Sequence, residues 1–177
     1  MNHTTQYPEE YIKYLVYFHG ERDYFECHEI LEEYWKEKEK PELDAAWVGL
    51  IQVAVSLYHQ RRNNVKGAIK MMRSAISNLT EIDLQMLGIN AKVFLEQLRS
   101  RLTNLISNEA LVYEDMNIPL KDVHLIKKCK QLCKDNNLSW QSHSNINDEA
   151  LIHKHTLRDR SEVIKSRELA KTEKNKK

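Results

Sequence analysis

The residues best suited to chemistry in this 177-residue chain lie in one run, Tyr24-Phe-Glu-Cys-His-Glu-Ile-Leu-Glu-Glu-Tyr-Trp35. A helix turns about 100° per residue, so positions can be counted around its axis. With His28 at zero, Trp35, Tyr24 and Leu31 fall within about 60° on one side. Phe25 falls about 60° away on the other, with Glu32 between it and His28 at about 40°. His28 and Glu32 therefore sit inside an arc bounded by aromatic and aliphatic side chains, with Glu29 at its edge. Glu26, Glu33 and Glu37 point the other way, where a solvated face is the ordinary reading. Buried charge is costly unless paired, so a histidine and a carboxylate on an apolar arc need an explanation.

A second helix supplies complementary groups. Trp47, Val48, Leu50, Ile51, Val53, Ala54, Val55 and Leu57 cover it almost all round, the mark of a central helix. Its polar residues Gln52, Ser56 and His59 fall within about 60° of one another, with Gly49 near the same line. Two helices joined by a short turn around Pro41 are expected to pack antiparallel. His28, Glu29 and Glu32 are then expected to converge with Gln52, Ser56 and His59 in a buried cluster.

Three chemistries suit that set. His28, Glu32 and His59 could hold one divalent metal with a coordination position left open. The spacing is not His-Glu-x-x-His, and the repeated Glu-x-x-His of di-iron bundles is absent. Alternatively, a histidine and its neighbouring glutamate could move protons as a metal-free acid–base pair. No serine nucleophile stands out, and Cys27 reads as core. The third reading is a closed network in which Gln, His and Glu satisfy one another and set the packing register. Whether the protein is an enzyme stays open at this point.

The elements that would position these groups are all helical. Only 4 Gly and 3 Pro punctuate the chain, which favours long helices. A first helix is expected from Pro8 to about Phe18, with Gly20 in the left-handed cap position. The second starts at Asp23, a good N-cap with Glu26 three residues on, and stops before Pro41. The third runs from an Asp44 cap to about Arg61. Asn64 caps a fourth helix with the stripe Val65, Ala68, Ile69, Met72, Ile76 and Leu79. Gly88-Ile89-Asn90 breaks the chain before a fifth, with Phe94, Leu95, Leu98, Leu102, Leu105 and Ile106. A short sixth carries Leu120, Val123, Ile126, Cys129 and Leu132. The fold is thus read as an all-α compact bundle of about five core helices with a C-terminal helical extension and tail. Residues 1–109 are expected to hold the bundle, 110–140 the extension, and 141–177 a solvated tail poor in large apolar side chains.

The pattern Tyr24-Phe25-x-x-His28-Glu29-x-Leu31-Glu32-x-x-Trp35, then Gly49-Leu50-Ile51-Gln52-x-Ala54, Tyr58-His59 and Asn64-x-x-Gly67-Ala68, resembles domain-of-unknown-function family 309. The resemblance covers roughly residues 17–79. It implies a compact all-helical domain from bacteria and archaea, and no established activity. Asn63 departs from the family's frequent glycine; Asn tolerates the same left-handed backbone.

Composition bounds the rest. The formal net charge is +1, so no global field favours nucleic acid or an anionic membrane. The lysines at 121, 127, 128, 130 and 134 lack the aromatic interleaving of a nucleic-acid module, and nucleic acid is not expected as a partner. The most apolar run, Ala45–Tyr58, falls short of the roughly 20 residues needed to span a bilayer. Three cysteines, Cys27, Cys129 and Cys133, fit free thiols and a cytoplasmic protein. The expected function is a cytoplasmic binding or interaction domain built around the His/Glu/Gln cluster, with a protein partner or a second copy as its target. The alternative is a metal-dependent or acid–base enzyme of hydrolase type using the same residues.

Overall fold

A computed structural model describes residues 6–37, 43–107 and 112–156. Among these residues the chain is helical and has no β-strand; only an isolated bridge pairs Ile89 with Leu120. No helix among them is long and apolar enough to cross a membrane.

Helix α1 spans Glu9–Val16, preceded by Pro8 as its N-cap. The chain then departs from expectation, widening where a cap was expected. Tyr17–Glu21 form a π-helical turn, and the left-handed cap is Arg22 at φ 57°, not Gly20. Gly20 serves close approach: a Cβ there would stand 3.3 Å from Leu138 Cδ1 and 3.5 Å from Cys133 Sγ. Helix α2 spans Tyr24–Glu37, and Asp23 Oδ1 accepts the Glu26 N–H at 3.0 Å, as its cap position predicts. The expected stop at Pro41 lies outside the described residues. Helix α3 spans Asp44–Arg61 with Leu43 as the capping residue. Asp44 is spent elsewhere, accepting the indole N–H of Trp35. Helix α4 spans Val65–Asn78, and Asn64 caps it by accepting the Gly67 N–H at 3.1 Å.

Helices α2, α3 and α4 form an antiparallel layer. Trp35 at the end of α2 meets Asp44 at the start of α3, and Phe25 at the start of α2 lies 5.9 Å from the Tyr58 ring at the far end of α3. On the other flank, Gln52 meets Asn78 and Ser56 meets the Ala68 carbonyl. A Cβ on Gly49 would come within 2.6 Å of the Leu79 side chain, so glycine sets how closely α3 and α4 pack. Helix α3 is buried nearly all round, as its apolar sequence implied.

A short helix α5, Glu81–Met86, was not apparent from the sequence; Thr80 caps it by accepting the Asp83 N–H at 3.2 Å. The break at Gly88 follows, with φ 72°, before α6 at Ala91–Ser107. Helix α7, Val123–Asp135, packs on α1 through Leu125, Cys129 and Cys133. Its stripe is rotated from expectation, and Val123 is exposed. Met1–Ser144 make one compact unit, so residues 112–144 pack with the bundle. Asn145–Lys177 make a second unit, in which α8, Glu149–Ile152, is capped by Asp148. The rest of the expected tail, from residue 157, lies outside the described residues.

Candidate functional site

The buried stripe of α2 is Tyr24, Cys27, Leu31 and Tyr34. It is centred between Cys27 and Leu31, so His28 lies on its flank and not at its middle. The expectation of a buried cluster is corrected accordingly. His28 and Glu32 side chains are 27% and 31% exposed, Glu29 is exposed, Gln52 and His59 are half-buried, and Ser56 is buried.

The structure holds these residues in distinct contacts. His28 Nε2 meets Glu32 Oε2 at 2.6 Å, and His28 Nδ1 meets Glu29 Oε1 at 3.5 Å. Lys36 Nζ stands 2.8 Å from the other Glu32 oxygen. That lysine, with the His28 charge, holds the Glu32 carboxyl below its ordinary range although partial burial opposes it. Gln52 Oε1 accepts from Asn78 Nδ2 at 2.8 Å, and Ser56 Oγ donates to the Ala68 carbonyl at 2.7 Å. His59 Nδ1 lies 3.2 Å from Arg62 Nη2 and 3.3 Å from Asn64 Nδ2. Both partners can only donate, so Nδ1 is placed to accept from them. Gly67 makes room for it: a Cβ there would sit 3.0 Å from His59 Cδ2.

Rings link the two histidines. Phe25 lies 5.8 Å from His28 and 5.9 Å from Tyr58, and Tyr58 lies 6.1 Å from His59. Arg62 adds a cation over the Tyr58 ring at 5.5 Å. Among the described residues no three His, Cys, Asp or Glu side chains are gathered where they could hold a metal ion, so His28, Glu32 and His59 do not form a three-ligand centre.

What these residues do share is a surface. The half-buried positions of α2 on the His28 side are Phe25, His28, Glu32 and Trp35, while Glu26 and Ile30 are half-buried on its other flank; those of α3 are Val48, Gln52, Val55 and His59. Each set recurs every three or four residues, so each is one stripe. Because α2 and α3 run antiparallel side by side, the two stripes join into one face, continued on α4 by Gly67, Ser74 and Asn78. Depressions beside it are shallow and open: one of about 550 Å³ along Glu29, Glu32, Glu33, Lys36 and Glu37, another of about 400 Å³ along Lys66, Ile69, Lys70, Arg73 and Ser74.

Sequence reasoning missed a deeply buried polar assembly behind this layer. Arg22 is 2% exposed; its Nε donates to the Ser142 carbonyl at 2.7 Å, Nη1 to the Met116 carbonyl at 2.6 Å and Nη2 to Asn117 Oδ1 at 2.6 Å. Arg61 stacks 4.5 Å over the Tyr24 ring and donates to the Arg22 carbonyl at 2.6 Å. Tyr24 and Tyr113 hydroxyls meet at 2.6 Å, and Tyr113 donates to Asp115 Oδ1 at 2.7 Å. Burial pushes the Tyr24 hydroxyl up to about 12. Burial would also raise Asp115, but hydrogen bonds from Ser144 and Tyr113 outweigh it and hold this carboxyl below its ordinary range. These groups tie α2 and α3 to segments around residues 115 and 142. Their only local signal in the sequence was Arg61-Arg62 at the end of an otherwise apolar helix.

The family model described as a domain of unknown function (DUF309) matches residues 11–71, which run from α1 into α4 and include nearly all of the motif face. The uncharacterised protein YpuF of Bacillus subtilis (strain 168) is 43% identical over 164 residues, which cover 92% of this chain and 93% of YpuF. No solved structure matches. This chain belongs to the DUF309 family.

Proposed function

We propose that the protein is a protein-binding module whose working surface is the outer face of α2 and α3, with the adjoining edge of α4. One observation carries the reading. The motif's polar and aromatic residues His28, Glu32, Phe25, Trp35, Gln52 and His59 occupy half-exposed stripes, while Tyr24, Cys27, Leu31 and Leu50 beneath them fill the core. Aromatic rings interleaved with polar groups on an open surface suit a protein partner, since such rings anchor interfaces. A small substrate would call for a concave site that encloses most of it, and the depressions here are open. The His28–Glu32 pair could move protons, but the depression beside it is open and would enclose little of a substrate.

Site-specific photo-crosslinking in cells tests the reading. A photoreactive residue replacing Glu29 on the face is expected to give discrete protein adducts, whereas one replacing Lys128 on α7 is expected to give none of the same mass. Equal adducts from both positions, or none from Glu29, would contradict it.

A further inference from the structure

The motif face is bordered by opposite charges. Glu29, Glu33 and Glu37 are exposed along α2, the outer edge on one side, with Lys36 as a cation among them that pairs with Glu32. Lys66, Lys70 and Arg73 are exposed along α4, the outer edge on the other, and α4 carries no acidic residue. Both helices have 14 residues, so each edge is about 21 Å long. The spacings match as well, since charged positions recur every three or four residues on both.

From this juxtaposition we infer that the partner seated on the face is a second copy of this chain, in a two-fold dimer whose axis runs parallel to the three helices. This inference rests on the face being the binding surface. The geometry distinguishes two symmetric ways of laying one layer on another. An axis perpendicular to the helices within the interface plane would place α2 on α2 and α4 on α4, setting like charges together. An axis along the helices places the α2 edge of each copy on the α4 edge of the other, with α3 against α3. Only the second pairs Glu29 and Glu33 with Lys70 and Arg73, and symmetry makes it do so twice. The half-buried stripe of α3 then closes on its own copy through Val48 and Val55, and the rings of Phe25 and Trp35 on α2 flank that contact and face the other copy's α4, which together supply the apolar part such an interface needs. The overall charge of +1 sets no repulsion between copies. The charged rims select the register and orientation, and the centre supplies the affinity.

Sedimentation equilibrium on the full chain tests this. The protein is expected to dimerise. Lys70→Glu with Arg73→Glu should weaken the dimer about tenfold or more, and Glu29→Lys with Glu33→Lys should do the same. All four together should restore it, because each rim then meets its reversed counterpart. Circular dichroism of each variant checks that the fold persists. A monomer at about 100 µM would overturn the dimer, as would a dimer indifferent to both pairs or one that the fourfold variant fails to restore. A monomer that still crosslinks from position 29 to another protein would remove the dimer and leave the binding face standing.

Discussion

His19 joins two distant parts of the chain: its Nε2 accepts the Ile118 N–H at 2.9 Å while its Nδ1 donates to the Leu15 carbonyl at 2.8 Å. Each ring nitrogen therefore has a fixed role, and the ring is neutral. Burial, helped by the nearby Arg22 charge, pushes its pKa from 6.5 down to about 3. Above pH 6.5 folded and unfolded chains both hold the ring neutral, and its contribution is fully present. Between about 6.5 and about 3 only the unfolded chain takes up the proton, so stability falls as pH falls. This one group should contribute a slope of up to about 1.4 kcal/mol per pH unit in that window. Urea unfolding at several pH values should show that His19→Gln has a shallower acid loss than the parent. An unchanged slope would mean that His19 does not titrate as its contacts require.

Arg22 holds three acceptors in the interior, the carbonyls of Ser142 and Met116 and the Asn117 side chain. Arg22→Met fills some of the volume and leaves those acceptors unmet. A loss on the order of 3 kcal/mol is expected in denaturant unfolding. A loss below about 1 kcal/mol would show that water replaces the guanidinium without cost.

The expectation of a tail free of the fold from residue 141 is corrected by Ser142 and Ser144. Ser142 donates its N–H to the His19 carbonyl at 3.0 Å, and the Ser144 N–H meets Asp115 Oδ2 at 2.6 Å. A chain ended after Trp140 should melt lower than one ended after Asn145. Equal melting temperatures would mean that these bonds add nothing.

Local signals of the fold were legible, and long-range polar pairing was not. Asn64 caps α4 and Gly88 breaks the chain as read, because a side-chain cap and a positive φ are encoded within a few residues. The left-handed position went to Arg22 and not to Gly20, since three side-chain hydrogen bonds hold an arginine there and close packing against Leu138 claims the glycine. Candidate site residues His28, Glu32, Gln52 and His59 were visible as a set, yet their depth was misread. Counting outward from His28 centred the buried arc on it, whereas counting from Cys27 and Leu31 would have placed it on the flank. Arg22, Asp115 and Ser144 could not be linked, because their partners lie 29 to 120 residues apart in polar connecting segments.

Gly49 tests the close packing of α3 and α4. Gly49→Ala would drive a methyl into Leu79, with 2.6 Å to its Cγ and Cδ2, and should cost about 1–3 kcal/mol. Shortening the neighbour as well, Gly49→Ala with Leu79→Ala, should recover part of what the single alanine loses relative to Leu79→Ala alone. Strict additivity in a thermal double-mutant cycle would sever the two residues.

The central claim is that the motif residues form a working surface and not a folding network. The most direct measurement is the unfolding free energy of the variant carrying His28→Ala, Gln52→Ala and His59→Ala, taken beside Tyr24→Ala. The surface account predicts a loss within about 1.5 kcal/mol for the triple variant. It predicts on the order of 3–5 kcal/mol for Tyr24→Ala, whose ring is buried under Arg61. A triple variant that loses as much as Tyr24→Ala would contradict the account and return these residues to the role of structural network.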